Sequence, residues 1–226
     1  MKCPYCGQEH ADSFLFCPQT GKRAHSLSAT PYSRDTHEAI DLGISVKWAT
    51  CNIGAQKPED FGCYFAWGET MVKNEFFEYN YRYGNEHYYR DTKYTMAEND
   101  PRKRKTILEP VDDVAQVMWG MDWRMPTESE FIELINDCAC EWTVQNEVNG
   151  LLVRSKRNKN SIFLPAAGLY YQNMFGYGGE TGAYWSSSLF PFYDDCAAFY
   201  LSFEKGFTCM GNKARYQGIS VRPVCK

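Results

Sequence analysis

From Ile44 to Thr50 the chain alternates apolar and polar residues, the two-residue period of a strand with one buried face. Gly62–Trp67 reads as a second strand. Residues 71–108 are polar and Tyr-rich with no clear period, and they read as a long, partly irregular insertion. Two short helices are predicted next. Asp112 or Asp113 stands where a cap belongs for a helix that carries Val114, Val117 and Met118 on one face and stops at Gly120. Thr127 and Glu130 have the spacing of a capping box, in which each side chain bonds the other's backbone N–H. Behind them Phe131, Leu134, Ile135 and Cys138 fall on one helical face. The period then returns to two. Leu151–Arg154, Ser161–Leu164, Gly182–Ser186, Ala197–Phe203 and Ile219–Arg222 read as strands. In the fourth, Phe199, Leu201 and Phe203 alternate with Ala198, Tyr200 and Ser202, which predicts one buried face. Helices in the first half and mostly antiparallel strands in the second make an α+β class domain.

The pattern divides the chain into residues 1–24, a polar linker over 25–36, and one large domain over 37–226. The first unit is too small to bury a core and needs a clasp. Cys3-Pro-Tyr-Cys6-Gly places two thiolates two residues apart with a glycine for the tight turn, the geometry that grips one tetrahedral ion. Phe16-Cys17-Pro-Gln-Thr20-Gly21 has the outline of the second half, but Thr20 stands where a cysteine is expected. Cys3, Cys6, His10 and Cys17 would make a Cys₃His structural zinc site; the alternative is a degenerate clasp that has lost its metal. The stretch resembles the short zinc ribbons found at the ends of many bacterial proteins.

Composition adds aromatic excess: 16 Tyr, 14 Phe and 6 Trp among 226 residues. Tyr and Trp offer rigid contact area with a polar handle, so binding surfaces use them, although many must fill a core. The net charge of -4 gives no reason to expect nucleic acid as a partner. The Arg102–Lys105 run reads as a solvated loop. No stretch reaches the ~20 apolar residues of a membrane span. The first residues lack the apolar core of a signal peptide, so the expected location is the cytoplasm, or a phage particle. Of ten cysteines, the seven outside the clasp sit mostly in apolar stretches, where a free thiol packs as a small hydrophobe.

An ordered series of phrases is more specific. It comprises Asp41-Leu-Gly-Ile-Ser-Val-Lys-Trp-Ala-Thr50, Pro58-Glu-Asp-Phe-Gly62, Tyr64-Phe-Ala-Trp-Gly-Glu-Thr70, Trp123-Arg-Met-Pro-Thr127, Asn160-Ser-Ile-Phe-Leu-Pro-Ala-Ala-Gly168, Gly182-Ala-Tyr-Trp-Ser-Ser-Ser188 and Gly218-Ile-Ser-Val-Arg-Pro-Val224. Together they resemble the Fibrobacter succinogenes major paralogous domain of gut Bacteroidetes and their phages, over nearly all of residues 40–225. The resemblance implies a C-type-lectin-like fold, related to that of formylglycine-generating enzymes. It further suggests the variable target proteins of diversity-generating retroelements, in which a fixed scaffold carries residues rewritten at adenines. Three stretches that read as loops between scaffold-like strands suit that role: Leu169–Glu180, Leu189–Cys196 and Glu204–Lys213. The candidate ligand-binding residues are Tyr170, Tyr171, Asn173, Phe175 and Tyr177 in the first. In the second they are Phe190, Phe192, Tyr193, Asp194 and Asp195, and in the third Phe207 and Asn212. Trp185 and Arg222 are assigned to the scaffold.

The implied function is non-enzymatic binding of a protein or glycan ligand. A bacterial surface or phage adhesin of glycan-binding type is the nearest alternative. Calcium is not expected, because the Glu-Pro-Asn, Gln-Pro-Asp and Trp-Asn-Asp motifs of calcium-dependent lectins are absent from the sequence, and Pro58-Glu-Asp60 reads as a turn. A formylglycine-generating-like oxidase would need a reactive cysteine pair. Cys196 and Cys209 are the nearest candidates, and their surroundings do not match.

Overall fold

The structure is a computed structural model that describes residues 37–84, 93–95, 105–191 and 196–226. The 1–24 unit, the 25–36 linker and Arg102–Arg104 lie outside the described residues. The large domain is mixed α+β and rich in sheet. The chain enters through β1 (Ala39–Asp41), β2 (Lys47–Ala49) and β3 (Tyr64–Phe65), passes 3-10 turns at Glu78–Asn80 and Pro110–Asp112, and reaches α1 (Val114–Trp119), β4 (Trp123–Arg124) and α2 (Glu128–Asp137). Strands follow: β5 (Cys138–Gln145), β6 (Val148–Ser155), β7 (Ser161–Pro165), β8 (Ala167–Tyr171), β9 (Met174–Gly178), β10 (Thr181–Leu189), β11 (Ala197–Glu204), β12 (Phe207–Ala214), β13 (Ile219–Ser220) and β14 (Val224–Cys225).

They form four sheets. The order β1-β2-β14-β4 brings the first and last described strands together; β12-β11-β10-β13-β3 is the central sheet; β5-β6-β7 is a meander and β8-β9 a hairpin. Leu201 and Phe203 of β11 join one core with Trp48, Phe131 and Leu134. Ala198 and Tyr200 of the same strand join another with Trp67, Val114 and Trp185. The central sheet is therefore a partition with a hydrophobic core on each face. This corrects the expectation of one buried face for Ala197–Phe203: alanine and tyrosine are apolar enough to be buried on the face that the alternation assigned to solvent.

The helix signals map closely. Asp113, not Asp112, caps α1, its Oδ1 accepting from the N–H groups of Ala115 (2.9 Å) and Gln116 (3.3 Å). Val114 and Ala115 are buried and Met118 packs behind them, whereas Val117 points outward, contrary to the expected face. The Thr127–Glu130 capping box is present at the start of α2. Arg124 braces Glu130 from the adjacent strand. Phe131 and Leu134 are buried, and Cys138 ends the helix as the first residue of β5.

The strand predicted over Ile44–Thr50 starts only at Lys47. Asp41 accepts from Gly43 N–H (2.6 Å), Gly43 turns with φ 71°, and Ser45 N–H is taken by the Glu133 carboxylate rather than by a ladder. Pro58–Asp60 is a turn, with Asp60 accepting from Lys57 N–H at 3.0 Å. The described parts of the 71–108 stretch are no loose insertion. Phe76, Tyr81, Tyr94 and Leu108 are buried. Buried Asp112 takes Lys93 Nζ (2.7 Å) and Tyr94 OH (2.5 Å), fastening residues 93–94 to the start of α1. Burial acts to raise the Asp112 pKa, but Lys93 and the neighbouring tyrosines outweigh it and hold the carboxyl below its ordinary value. Arg215, also buried, donates to Tyr81 OH (3.0 Å) and lies over the Trp67 ring at 5.0 Å.

Both scaffold assignments match their surroundings. Trp185 is fully buried and donates Nε1–H to Phe65 O at 2.8 Å. Arg222 is fully buried, bonding Asn52 Oδ1 (2.9 Å) and the carbonyls of Ala49 (3.1 Å) and Thr50 (2.8 Å). The seven described cysteines are all free thiols. Among the described residues, no helix is long and apolar enough to cross a membrane.

Candidate functional site

Two of the three stretches read as loops are ordered hairpins. Leu169–Glu180 contains most of β8 and all of β9, and Glu204–Lys213 contains most of β12. Aromatics on successive positions and interspersed glycines hide the two-residue period that marks a strand.

The β8–β9 hairpin turns through Gln172 and Asn173, with Gln172 in the left-handed region at φ 59°. Its base is clamped. Tyr170 and Gly218 exchange both backbone hydrogen bonds, at 2.8 and 3.0 Å, and Phe76 N–H donates to Gln172 O at 2.8 Å. Tyr64 OH donates to Ala167 O at 2.5 Å. The Tyr64 ring meets Tyr170 at 5.0 Å and Phe175 at 5.8 Å, and Phe76 meets Tyr170 at 5.5 Å. Gly218 lets this happen, since a Cβ there would lie 2.6 Å from the Phe76 ring. Burial first, then the neighbouring Tyr184 and Tyr170 hydroxyls, pushes the Tyr64 phenol far above its ordinary pKa, so it stays a neutral donor.

On this base the hairpin exposes Tyr171 (42%), Met174 (59%), Phe175 (45%) and Tyr177 (63%). Tyr171 and Met174 stand directly opposite each other and share one face, which at about 200 Å² per full side chain exposes roughly 200 Å², whereas Phe175 lies on the other face beside Tyr170. Asn173 is exposed at the turn. Tyr177 holds φ 61°, a left-handed backbone that β-branched or bulky residues rarely adopt. Tyr216 packs with Tyr64 and Tyr170 against the cluster of Ala66, Phe76 and Tyr81, and burial, then the neighbouring Tyr171, pushes its phenol above the ordinary pKa.

The predicted site residues thus fall into separate groups. Tyr170 and Phe175 meet directly, as a cross-strand pair with rings 5.2 Å apart. Tyr170 is half-buried and serves as base; Tyr171, Asn173, Phe175 and Tyr177 face outward. Phe190 is half-buried against Phe199, ring to ring at 4.9 Å, and Asn212 pairs with that same Phe199 across β11–β12. Phe207 is exposed (56%) but five residues along β12 from Asn212, about 17 Å away. Phe192, Tyr193, Asp194 and Asp195 lie outside the described residues, as do the candidate zinc ligands Cys3, Cys6, His10 and Cys17. Sequence reasoning missed Met174, although a two-residue hairpin turn that places Tyr171 at the surface also sets Met174 opposite it. It missed Tyr64, Phe76 and Tyr216 because nothing in a linear pattern reports that they pack under the hairpin.

Cys196 and Cys209 do not form a pair. Cys209 stands opposite Ser202, six residues along the chain from Cys196, a separation of about 20 Å in extended chain. Burial pushes the Cys209 thiol above its ordinary pKa, away from thiolate chemistry. Set against known proteins, the chain matches no family model, no curated protein and no solved structure.

Proposed function

We propose that this protein is a non-enzymatic binding protein whose scaffold is C-type-lectin-like, as in the Fibrobacter succinogenes major paralogous domain, and whose ligand surface centres on the β8–β9 hairpin. The observation that carries the reading is the contrast within ten residues. Tyr170 is locked under Tyr64 and Phe76 with the half-exposed Phe175 ring against it, while Tyr171, Met174 and Tyr177 stand in solvent. A rigid base with exposed Tyr, Phe and Met supplies contact area at low entropic cost, the economy of a paratope. Such side chains can be exchanged without disturbing the two cores, which suits a surface diversified by a retroelement. The ligand is a protein or glycan specific to this variant. The N-terminal unit serves as a zinc clasp through Cys3, Cys6, His10 and Cys17, a role measured as bound zinc in native mass spectrometry that Cys17→Ser removes.

Sequencing of the DNA around the gene tests the reading. A nearby near-copy of the codons for roughly residues 165–225, differing at adenines and beside a reverse-transcriptase gene, is expected. Its differences should fall on codons for Tyr171, Asn173, Phe175 and Tyr177 and spare those for Tyr184 and Trp185. A repeat whose differences fall on core codons, or no repeat, refutes diversification.

A further inference from the structure

The two edges of the central sheet are unlike. One ends in β3, only two residues long; the other is β12, eight residues in unbroken register with β11 and free of proline and bulge. Short strands, prolines, bulges and charged side chains are among the means by which proteins blunt an edge; β12 has none of the first three and a single charge, Lys213, near its end. The two-residue turn Lys205–Gly206 makes Glu204 and Phe207 a hydrogen-bonded pair. Alternation along the register then turns the N–H and C=O of Thr208, Met210 and Asn212 away from β11. Among the described residues, no strand pairs with that outer side.

We propose that this edge is the docking surface for a second copy of the chain, β12 against β12, antiparallel about a two-fold axis at Met210. The register follows from the side chains. A two-fold normal to the sheet keeps both copies' faces aligned only if each outward residue meets an outward residue. Centring on Met210 matches all three: Met210 with Met210, and Thr208 with Asn212 in both directions, making six new backbone hydrogen bonds. It also sets exposed Phe207 opposite Lys213 of the other copy, an aromatic ring facing a cation. Thr208 and Asn212 are a polar pair, and the half-buried Met210 gains a like neighbour. Because the opposite edge is only β3, the pairing closes at two copies and does not grow into a fibre. This places Phe207 and Asn212 between copies rather than in the ligand surface, and it does not depend on what the β8–β9 hairpin binds.

The test is the mass of the full-length protein in solution by size-exclusion chromatography with light scattering, from about 1 to 100 μM. The expected result is a concentration-dependent dimer. Thr208→Pro removes an N–H that no partner among the described residues uses, so it should give a monomer with an unchanged circular-dichroism spectrum and melting temperature. Met210→Lys, which sets two like charges on the axis, should also give a monomer. A protein that is monomeric throughout the range, or a folded Thr208→Pro variant that still dimerises, overturns the proposal.

Discussion

Gly182 is the position where the two-core arrangement is most exposed to a single methyl group. It stands opposite Phe203 across β10 and β11, and a Cβ built on it would run into three atoms of the Phe203 ring, well inside contact distance. The ring has little room to yield. It is fully buried, stacked on Tyr184 at 5.8 Å and met edge-on by Trp142 at 6.4 Å. Overpacking a close-packed site costs about 1–3 kcal/mol, and a ring driven from its place forfeits part of the ~3–5 kcal/mol of a buried Phe. Gly182→Ala should therefore lose about 3 kcal/mol or more, read as a lower urea midpoint at unchanged slope. A cycle with Phe203→Leu isolates the cause. The smaller side chain vacates the space, so the pair should be less destabilised than the sum of the singles by ~1–2 kcal/mol. A loss under about 1 kcal/mol for Gly182→Ala, or strict additivity in the cycle, would refute the contact between strand and ring on which the partition rests.

Two further outcomes follow from the buried polar groups. Arg222→Ala strips the donors from Asn52 Oδ1 and from the Ala49 and Thr50 carbonyls in a fully buried site, and should cost about 4 kcal/mol in chemical denaturation; a change near 1 kcal/mol would show that water replaces the guanidinium there. Burial pushes the Asp113 carboxyl up from 3.8 to about 6, despite the Met125, Gln116 and Ala115 N–H groups that favour its charged form. A raised native pKa gives stability that is full below 3.8 and is lost as pH rises through about 6, a loss of about 3 kcal/mol. Asp113→Asn cannot ionise, so the stability of wild type minus variant should fall by about that amount between pH 4 and 7; a difference flat in pH contradicts the assignment.

Local chemistry was the legible part of the sequence. Asp113 and the Thr127–Glu130 box announce helix starts through backbone donors that need partners, a demand that does not depend on distant residues. The α+β class followed from periods alone. What the pattern concealed was tertiary. Tyr200 and Ala198 read as a solvent face because nothing local shows that a second core lies over them. The β8–β9 hairpin read as a loop because Tyr170, Tyr171, Met174 and Phe175 are large and apolar on both faces, so no alternation appears. Its partition into base and tip depends on Tyr64 and Phe76, about 100 residues earlier in sequence. The candidate residues were well chosen in type but not in grouping, since register alone separates Phe207 from Asn212.

The central claim is a rigid scaffold that displays exchangeable side chains, and a substitution scan of residues 169–204 tests it without any ligand. Each variant of the full chain is displayed on cells and scored for protease resistance as a measure of folding. Tyr171, Asn173 and Met174 should accept most substitutions with little loss, Tyr177 most of those that tolerate its left-handed backbone, and Phe175, whose ring meets Tyr64 and Tyr170, chiefly other large apolar side chains. Tyr170, Gly182, Tyr184 and Trp185 should accept few. Hairpin-tip positions as intolerant as Tyr184 and Trp185 would contradict the account.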